Sequence, residues 1–245
     1  MSRPPEPPAA ARKQQNGHYY LWDSCIVADV DEQLFDPRVW ARSNQLIGTA
    51  SGRGAAYFLR PKNGAQWVLR HSRRGGLIAH FNHDSYLWLG RARCRVFREW
   101  FLLANLHAQG LPVPAPVAAR VLRRGLCYRS DLITQRVAAR PLADWLAAQP
   151  LAPATWHAIG ATICRFHHAG VDHHDLNARN ILVSDAGAIT LIDFDQGRVR
   201  RPDHWRGGNL MRLRRSLDKI AGRQSLHFSE QDWAALQSGY AQAFA

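Results

Sequence analysis

The chain has no apolar run approaching the roughly 18 residues that a membrane-spanning helix needs, which excludes an integral helical membrane protein. Its 4 cysteines, Cys25, Cys94, Cys127 and Cys164, are widely separated and form no C-x-x-C pair. Neither a zinc ribbon nor a dithiol redox motif is therefore suggested, and reduced thiols in a cytoplasm are expected. The N-terminal MSRPPEPPAAARKQQ lacks the apolar stretch of a secretory signal, which argues against export. Acidic residues are scarce as well: 19 Asp+Glu stand against 32 Lys+Arg, giving a formal charge of +13, and nearly all the basic residues are arginine. A field of that sign points to anionic partners, meaning nucleic acid, phosphorylated small molecules or an acidic membrane surface. What is present fits a soluble globular protein of one or two domains: 245 residues, 46% hydrophobic and 21% charged.

Residues 1–17 are rich in Pro, Ala and polar side chains, bury little apolar surface, and are expected to form a flexible tail, with the folded part starting near His18. From there to about residue 70, short apolar stretches read as strands, among them Tyr19–Trp22, Ala55–Leu59 and Gln66–Leu69. Pro61-Lys62-Asn63-Gly64 is a turn signal between the last two. Residues 91–109 read as a helix with Val96, Trp100, Leu103 and His107 on one stripe and Phe97, Phe101 and Ala104 beside it, stopped by Gly110 and Pro112. The following segment reads as a strand pair turning at Arg124-Gly125, and the chain beyond Pro141 as mainly helical. A β-rich first half and a helix-rich second half predict two lobes joined near Gln135–Arg140.

The segment His173-His174-Asp175-Leu176-Asn177-Ala178-Arg179-Asn180 is followed by an apolar hairpin and then Asp193-Phe194-Asp195. It supplies one carboxylate, an amide, and a second carboxylate that the hairpin folds back toward the first. A base for a hydroxyl group plus oxygen ligands for a hard divalent cation is what phosphoryl transfer from a magnesium-bound nucleotide requires. An Asp-rich turn between buried strands is the bland alternative.

These anchors resemble the HRDxxxxN and DFG motifs of protein-kinase-like folds. The resemblance implies an α+β, two-lobed fold, with a β-rich N-lobe over 18–136 and a mainly helical C-lobe over 137–245. It implies Asp175 as catalytic base, Asn180 and Asp193 as ligands of Mg2+, and ATP as phosphoryl donor. Arg179 stands where its charge could neutralise the transferred group. Asp195, in place of the motif's glycine, either assists the metal or caps a turn. In the first lobe, Gly52 and Gly54 of a Gly-rich stretch would let backbone N–H groups approach phosphates. Arg70 occupies the place of the strand lysine, Glu99 is its expected ion-pair partner, and Gln135 and Val137 lie in the segment expected to meet adenine through backbone groups.

A narrower resemblance rests on Val68–Ile78, Asp84–Gly90, Leu111–Pro116, the catalytic motifs and the Asn209–Leu217 segment. Together they are similar to the 3-deoxy-D-manno-octulosonic acid (Kdo) kinase family, relatives of the heptose kinases of the lipopolysaccharide core. The resemblance implies ATP-dependent phosphorylation of the 4-hydroxyl of Kdo on Kdo-lipid A. That acceptor places the enzyme at the cytoplasmic face of a Gram-negative inner membrane, in peripheral contact. Arginines following Asp193, from Arg198 to Arg215, are expected to face this anionic glycolipid. The competing readings are another sugar, heptose or antibiotic phosphotransferase, and a non-catalytic basic binding protein. No helix-turn-helix, paired zinc ligands or RNP-like strand supports a nucleic-acid partner, and none is expected. A zinc site in the His167–His174 stretch is disfavoured because adjacent histidines point apart.

Overall fold

A computed structural model describes residues 10–50, 56–72, 86–201, 204–222 and 226–244. The chain divides into two compact units, one of residues 1–105 and 114–136, the other of 106–113 and 137–245.

The first unit is built on an antiparallel sheet. Its strands are β1 (Ala10–Gln15), β2 (His18–Asp23), β3 (Leu46–Ala50), β4 (Ala56–Leu59), β5 (Trp67–His71), β6 (Tyr86–Leu87), β7 (Pro116–Arg124) and β8 (Cys127–Gln135). They run in the spatial order β1-β2-β7-β8-β5-β4-β3, with β6 added against the start of β8. The β4–β5 hairpin closes at the expected turn: Gly64 takes a positive φ of 80° and its N–H donates to the Pro61 carbonyl at 3.0 Å. Gly125, at φ 60°, does the same service between β7 and β8. Because side chains alternate across a strand, Trp67 and Leu69 of β5 enter a core with Tyr20, Trp22, Val117, Ala118 and Ile133. That core is covered by the segment holding Val30, Phe35 and Trp40, in which a short helix α1 (Pro37–Arg42) starts from an Asp36 cap that accepts the Arg38 N–H.

Two expectations are corrected here. The tail is not unstructured through residue 17: Ala10–Gln15 pairs with β2 in full register from Ala10↔Asp23 to Gln15↔His18. Four of its six residues are polar and only Ala11 packs against the core, so the strand is held mainly by its ladder to β2 and by the Lys13–Asp29 ion pair at 2.9 Å, a signal that composition does not carry. Residues 1–9 lie outside the described residues. The second correction concerns α2 (Arg95–Ala108), which buries Val96, Trp100 and Leu103 as the periodicity predicts but leaves His107 exposed. Leu106 is buried in its place, and from Leu106 to Val113 the chain belongs to the second unit, not to the first as the 18–136 boundary predicts. Hydrogen bonds explain the switch: the Leu191 N–H donates to the Pro112 carbonyl at 3.0 Å and Arg165 to the Gly110 carbonyl at 3.0 Å.

The second unit contains β9 (Arg140–Pro141), α3 (Leu142–Ala148), α4 (Pro153–His168), β10 (Val171–Asp172), β11 (Ile181–Val183), β12 (Ile189–Leu191), β13 (Arg198–Val199), α5 (Trp205–Ala221) and α6 (Glu230–Phe244). β11 is flanked by β12 and β9, and β10 pairs with β13. Helices α4 and α6 cross at two glycines: a Cβ on Gly160 would lie 2.0 Å from the Leu236 carbonyl oxygen, and one on Gly239 would lie 2.1 Å from that of His157. Only hydrogen side chains permit that backbone approach.

Candidate active site

In the second unit the loop from β10 to β11 is wound around the main chain of Asp175. The Asp175 carbonyl accepts from the side-chain amides of both Asn177 and Asn180, each at 2.9 Å. The Asn177 side-chain oxygen accepts the Arg179 N–H at 2.9 Å, and the Asn177 carbonyl accepts the Asn180 N–H at 3.0 Å. These short-range bonds are ones that Asn supplies readily. The Asn180 carbonyl in turn accepts the Ile192 N–H at 3.0 Å, tying the loop to the residue before Asp193. The hairpin therefore brings Asn180 next to the segment that holds Asp193. Asp193 has a φ of 67°, in the left-handed region that short polar side chains tolerate at a cost of about 1–2 kcal/mol.

The entry to the loop is fixed from beneath. Asp172 is buried, and its carboxylate accepts from the Asn209 side-chain amide at 2.9 Å, the His174 N–H at 3.1 Å and Arg200 at 3.0 Å. Burial pushes this carboxyl up, but the hydrogen bonds from Asn209, Arg200 and His174 outweigh it and hold the group below the usual carboxylate range. Asn209 also accepts the His173 N–H at 3.2 Å through its side-chain oxygen. His174 takes a φ of 59° between these anchors. His173 is buried against Phe194 at 4.5 Å between ring centroids, and its Nε2 donates to the Ile192 carbonyl at 2.9 Å. Burial lowers its pKa, so the ring is a neutral spacer between the Asp175 loop and the Asp193 segment. No cluster of three or more His, Cys, Asp or Glu suited to a metal ion exists among the described residues.

Above this floor the Asp175 carboxylate is half exposed, and Arg212 of α5 lies 3.7 Å from it. Arg179 is exposed. Asn180 turns its side-chain amide to the Asp175 carbonyl, so its side-chain oxygen and the Asp193 carboxylate are the hard oxygen donors that this segment contributes. This donor set fits a magnesium-like ion and not a soft metal.

The arginines after Asp193 separate into two kinds. Arg200 is held by Asp172, Arg206 donates to the His167 carbonyl at 3.0 Å, and Arg214 pairs with Asp218 at 2.9 Å and with Glu230. These three brace the unit, which corrects the expectation that the run as a whole faces an acceptor. Arg212 instead stands half exposed beside the Asp175 carboxylate. Asp172 and Asn209 were not singled out for the site from sequence. The readable signal for Asn209 is its position on the buried stripe Trp205, Asn209, Leu213, Leu217 of α5, where an amide must have partners.

In the first unit, Arg70 of β5 pairs with Glu99 of α2, as the sequence predicts. Glu99 is 3% exposed, and a carboxylate so buried needs a cation against it. The Gln135 N–H donates to the Ala115 carbonyl at 2.8 Å, so that amide is engaged within the sheet; the Val137 carbonyl accepts the Ala139 N–H at 2.9 Å. Gly52 and Gly54 lie outside the described residues, as does the Arg73–Gly76 stretch.

Comparison with known proteins follows the same lines. The model of the lipopolysaccharide kinase (Kdo/WaaP) family matches residues 37–240. A 3-deoxy-D-manno-octulosonic acid kinase of Stenotrophomonas maltophilia (strain K279a) is 44% identical over 91% of this chain and 90% of its own length. Its namesake in Haemophilus influenzae (strain 86-028NP) is 38% identical over 94% of this chain and 98% of its own. Among solved structures, the amicoumacin kinase hAmiN, in complex with AMP-PNP, Ca2+ and Ami, superposes with a TM-score of 0.58 at 13% identity. That match covers 88% of this chain and 79% of the other, and it establishes the α+β, protein-kinase-like fold.

Proposed function

Because the chain belongs to the lipopolysaccharide kinase (Kdo/WaaP) family, we propose that it transfers the γ-phosphoryl group of ATP to the 4-hydroxyl of Kdo on Kdo-lipid A. The observation that carries this reading is the Asp175 loop, cross-braced from Asn177, Asn180, Asp172 and Asn209, within a chain that matches Kdo kinases over nine-tenths of their length.

Asp175 accepts the proton of the acceptor hydroxyl as that oxygen bonds to phosphorus and the bond from phosphorus to the ADP oxygen breaks. Its carboxylate is exposed enough to meet an acceptor, and its backbone is too tightly tied to drift. Arg179, and Arg212 beside the base, offset the negative charge of donor and acceptor. Asn180 and Asp193 hold the divalent cation, Mg2+ in this reading, which when bound supplies charge neutralisation across the phosphates. Arg70, aimed by Glu99, clamps phosphate oxygens, Gly52 and Gly54 offer backbone N–H groups, and Gln135 and Val137 flank the adenine. A guanidinium fork can grip a pair of phosphate oxygens more rigidly than a lysine ammonium, so charge is kept while geometry changes. Among the described residues no helix is long and apolar enough to cross a membrane, and a lipid-borne acceptor then calls for peripheral contact with the inner membrane.

The deciding experiment incubates the protein with Mg-ATP and Kdo-lipid A and follows phosphate incorporation. Transfer is expected, and Asp175→Ala should lower turnover on the order of a hundredfold or more. No transfer to Kdo, or undiminished turnover in the variant, refutes the reading; transfer to another sugar alone would redirect the acceptor.

A further inference from the structure

One end of the first unit's sheet carries a surface that the reaction does not use. There β6 pairs with the start of β8 through Tyr86↔Tyr128 and Leu87↔Cys127, and the Trp88 N–H donates to the Leu126 carbonyl at 2.8 Å. Three leucines gathered at this junction are left in solvent: Leu87 is 58% exposed, Leu89 56% and Leu126, at the tip of the β7–β8 hairpin, 77%. Single exposed leucines are ordinary, but three on adjoining backbone segments are not.

The sheet end that carries them is aromatic. Trp88 stacks on Tyr19 at 5.1 Å and meets Tyr128 edge-on at 6.1 Å, while Tyr86 stacks on Tyr128 at 5.4 Å. Around them lies positive charge. The guanidinium of Arg123 sits 5.2 Å from the Trp88 ring centroid and that of Arg91 5.6 Å from Tyr19, and Arg93 and Arg124 are exposed alongside. No Asp or Glu occurs in residues 86–98 or 121–130, so no carboxylate of these segments screens the rim.

We propose that this end of the sheet is the surface by which the protein docks on an anionic lipid bilayer. Leu87, Leu89 and Leu126 enter the region between headgroups and acyl chains, Trp88 lies at headgroup level, and the arginines pair with lipid phosphates. Leucines projecting from an aromatic base, an indole and a rim of guanidinium groups are the combination that an interface of apolar tails and anionic heads accommodates. A nucleic acid would satisfy the arginines but offer nothing to the leucines. The proposal deepens the peripheral-membrane part of the reading above and rests on it, while its location differs from the arginine run after Asp193, much of which is engaged inside the second unit.

The test is flotation of the full chain with phosphatidylcholine vesicles that contain or lack phosphatidylglycerol. Binding is expected only with the anionic lipid. The double variant Leu89→Asp, Leu126→Asp should bind about tenfold more weakly or worse, since it removes two apolar anchors and adds like charge to the lipid. Both side chains are in solvent, so the variant should keep the wild-type circular dichroism melt and its phosphorylation of water-soluble Kdo, while losing activity on vesicle-borne Kdo-lipid A. Equal binding to neutral vesicles, or unchanged binding of the double variant, overturns the proposal. So does loss of binding in Arg198→Glu, Arg201→Glu with the leucine variant unaffected. A protein that binds vesicles through these leucines yet phosphorylates no Kdo would fail the functional reading and leave the docking surface standing.

Discussion

A single buried imidazole sets part of the acid sensitivity of the second unit. His167 is 1% exposed, its Nδ1 lies 2.8 Å from the Tyr240 hydroxyl, and burial lowers its pKa from 6.5 to about 4. The folded state thus binds this proton less readily than the unfolded chain. Between pH 6.5 and about 4 the unfolded state carries more protons, so stability rises with pH in that window and is lost as pH falls through it. The displacement corresponds to about 3 kcal/mol at most. His18 and His173, lowered by the same cause, act in the same direction, whereas Asp172, held below its usual range, adds its loss only at lower pH. Urea unfolding from pH 7 to pH 4.5 should show the decline, and His167→Gln should flatten it; an equally steep slope in that variant would remove His167 from the account. At this scale the sequence is eloquent about side chains that do chemistry and silent about those that hold them. The Asp175, Asn180, Asp193, Arg70 and Glu99 spacings are legible because metal and phosphate chemistry restricts the residue types. Asp172 and Asn209 are not, because any pair of polar groups buried together could serve the same end.

At the scale of the element, the α4–α6 crossing is the most exacting piece of packing in the second unit. Gly160→Ala would place a methyl group 2.0 Å from the Leu236 oxygen and 2.7 Å from the Tyr240 nitrogen, both backbone atoms that cannot turn aside. The helices would have to separate, at a cost of about 2 kcal/mol or more. A guanidinium unfolding midpoint should fall accordingly, while alanine at Gly64, which has open space around it, should cost only the strain of its positive φ. Equal losses at the two positions would contradict a backbone-limited crossing. Hairpins and amphipathic helices were readable in advance, since period and turn chemistry are local: Pro61–Gly64, Gly125 and the Val96–Trp100–Leu103 stripe stand where expected. Strand β1 was not, because it is mostly polar and is made a strand by partners distant in sequence, the ladder to β2 above all. The last turn of α2 was misassigned for a related reason: Leu106 fits an amphipathic stripe on either neighbour, and periodicity does not say which unit will cover it.

For the whole molecule, the charge of +13 becomes a measurable property once its arginines are sorted. Arg70, Arg120, Arg200 and Arg214 are held by Glu99, Asp131, Asp172 and Asp218, and contribute to internal structure. The exposed remainder acts at a distance and is screened by salt. Raising ionic strength from about 0.1 M to about 1 M shortens the Debye length from about 10 Å to about 3 Å. Activity on vesicle-borne Kdo-lipid A should therefore fall by about tenfold or more over that range, with far less change on water-soluble Kdo, in parallel assays. Similar salt profiles for the two acceptors would assign no role to long-range charge. The sequence by itself determined the kinase-like family, the two-part architecture and which residues are candidates for the site, because each rests on residue identity, spacing or composition. Only the tertiary structure decided which arginines are braces and which face outward, where the chain crosses from one unit to the other, and that Leu87, Leu89 and Leu126 meet at one sheet end. Those outcomes depend on which segments pack together, and burial is a property of the neighbours a residue acquires, which no position along the chain records alone.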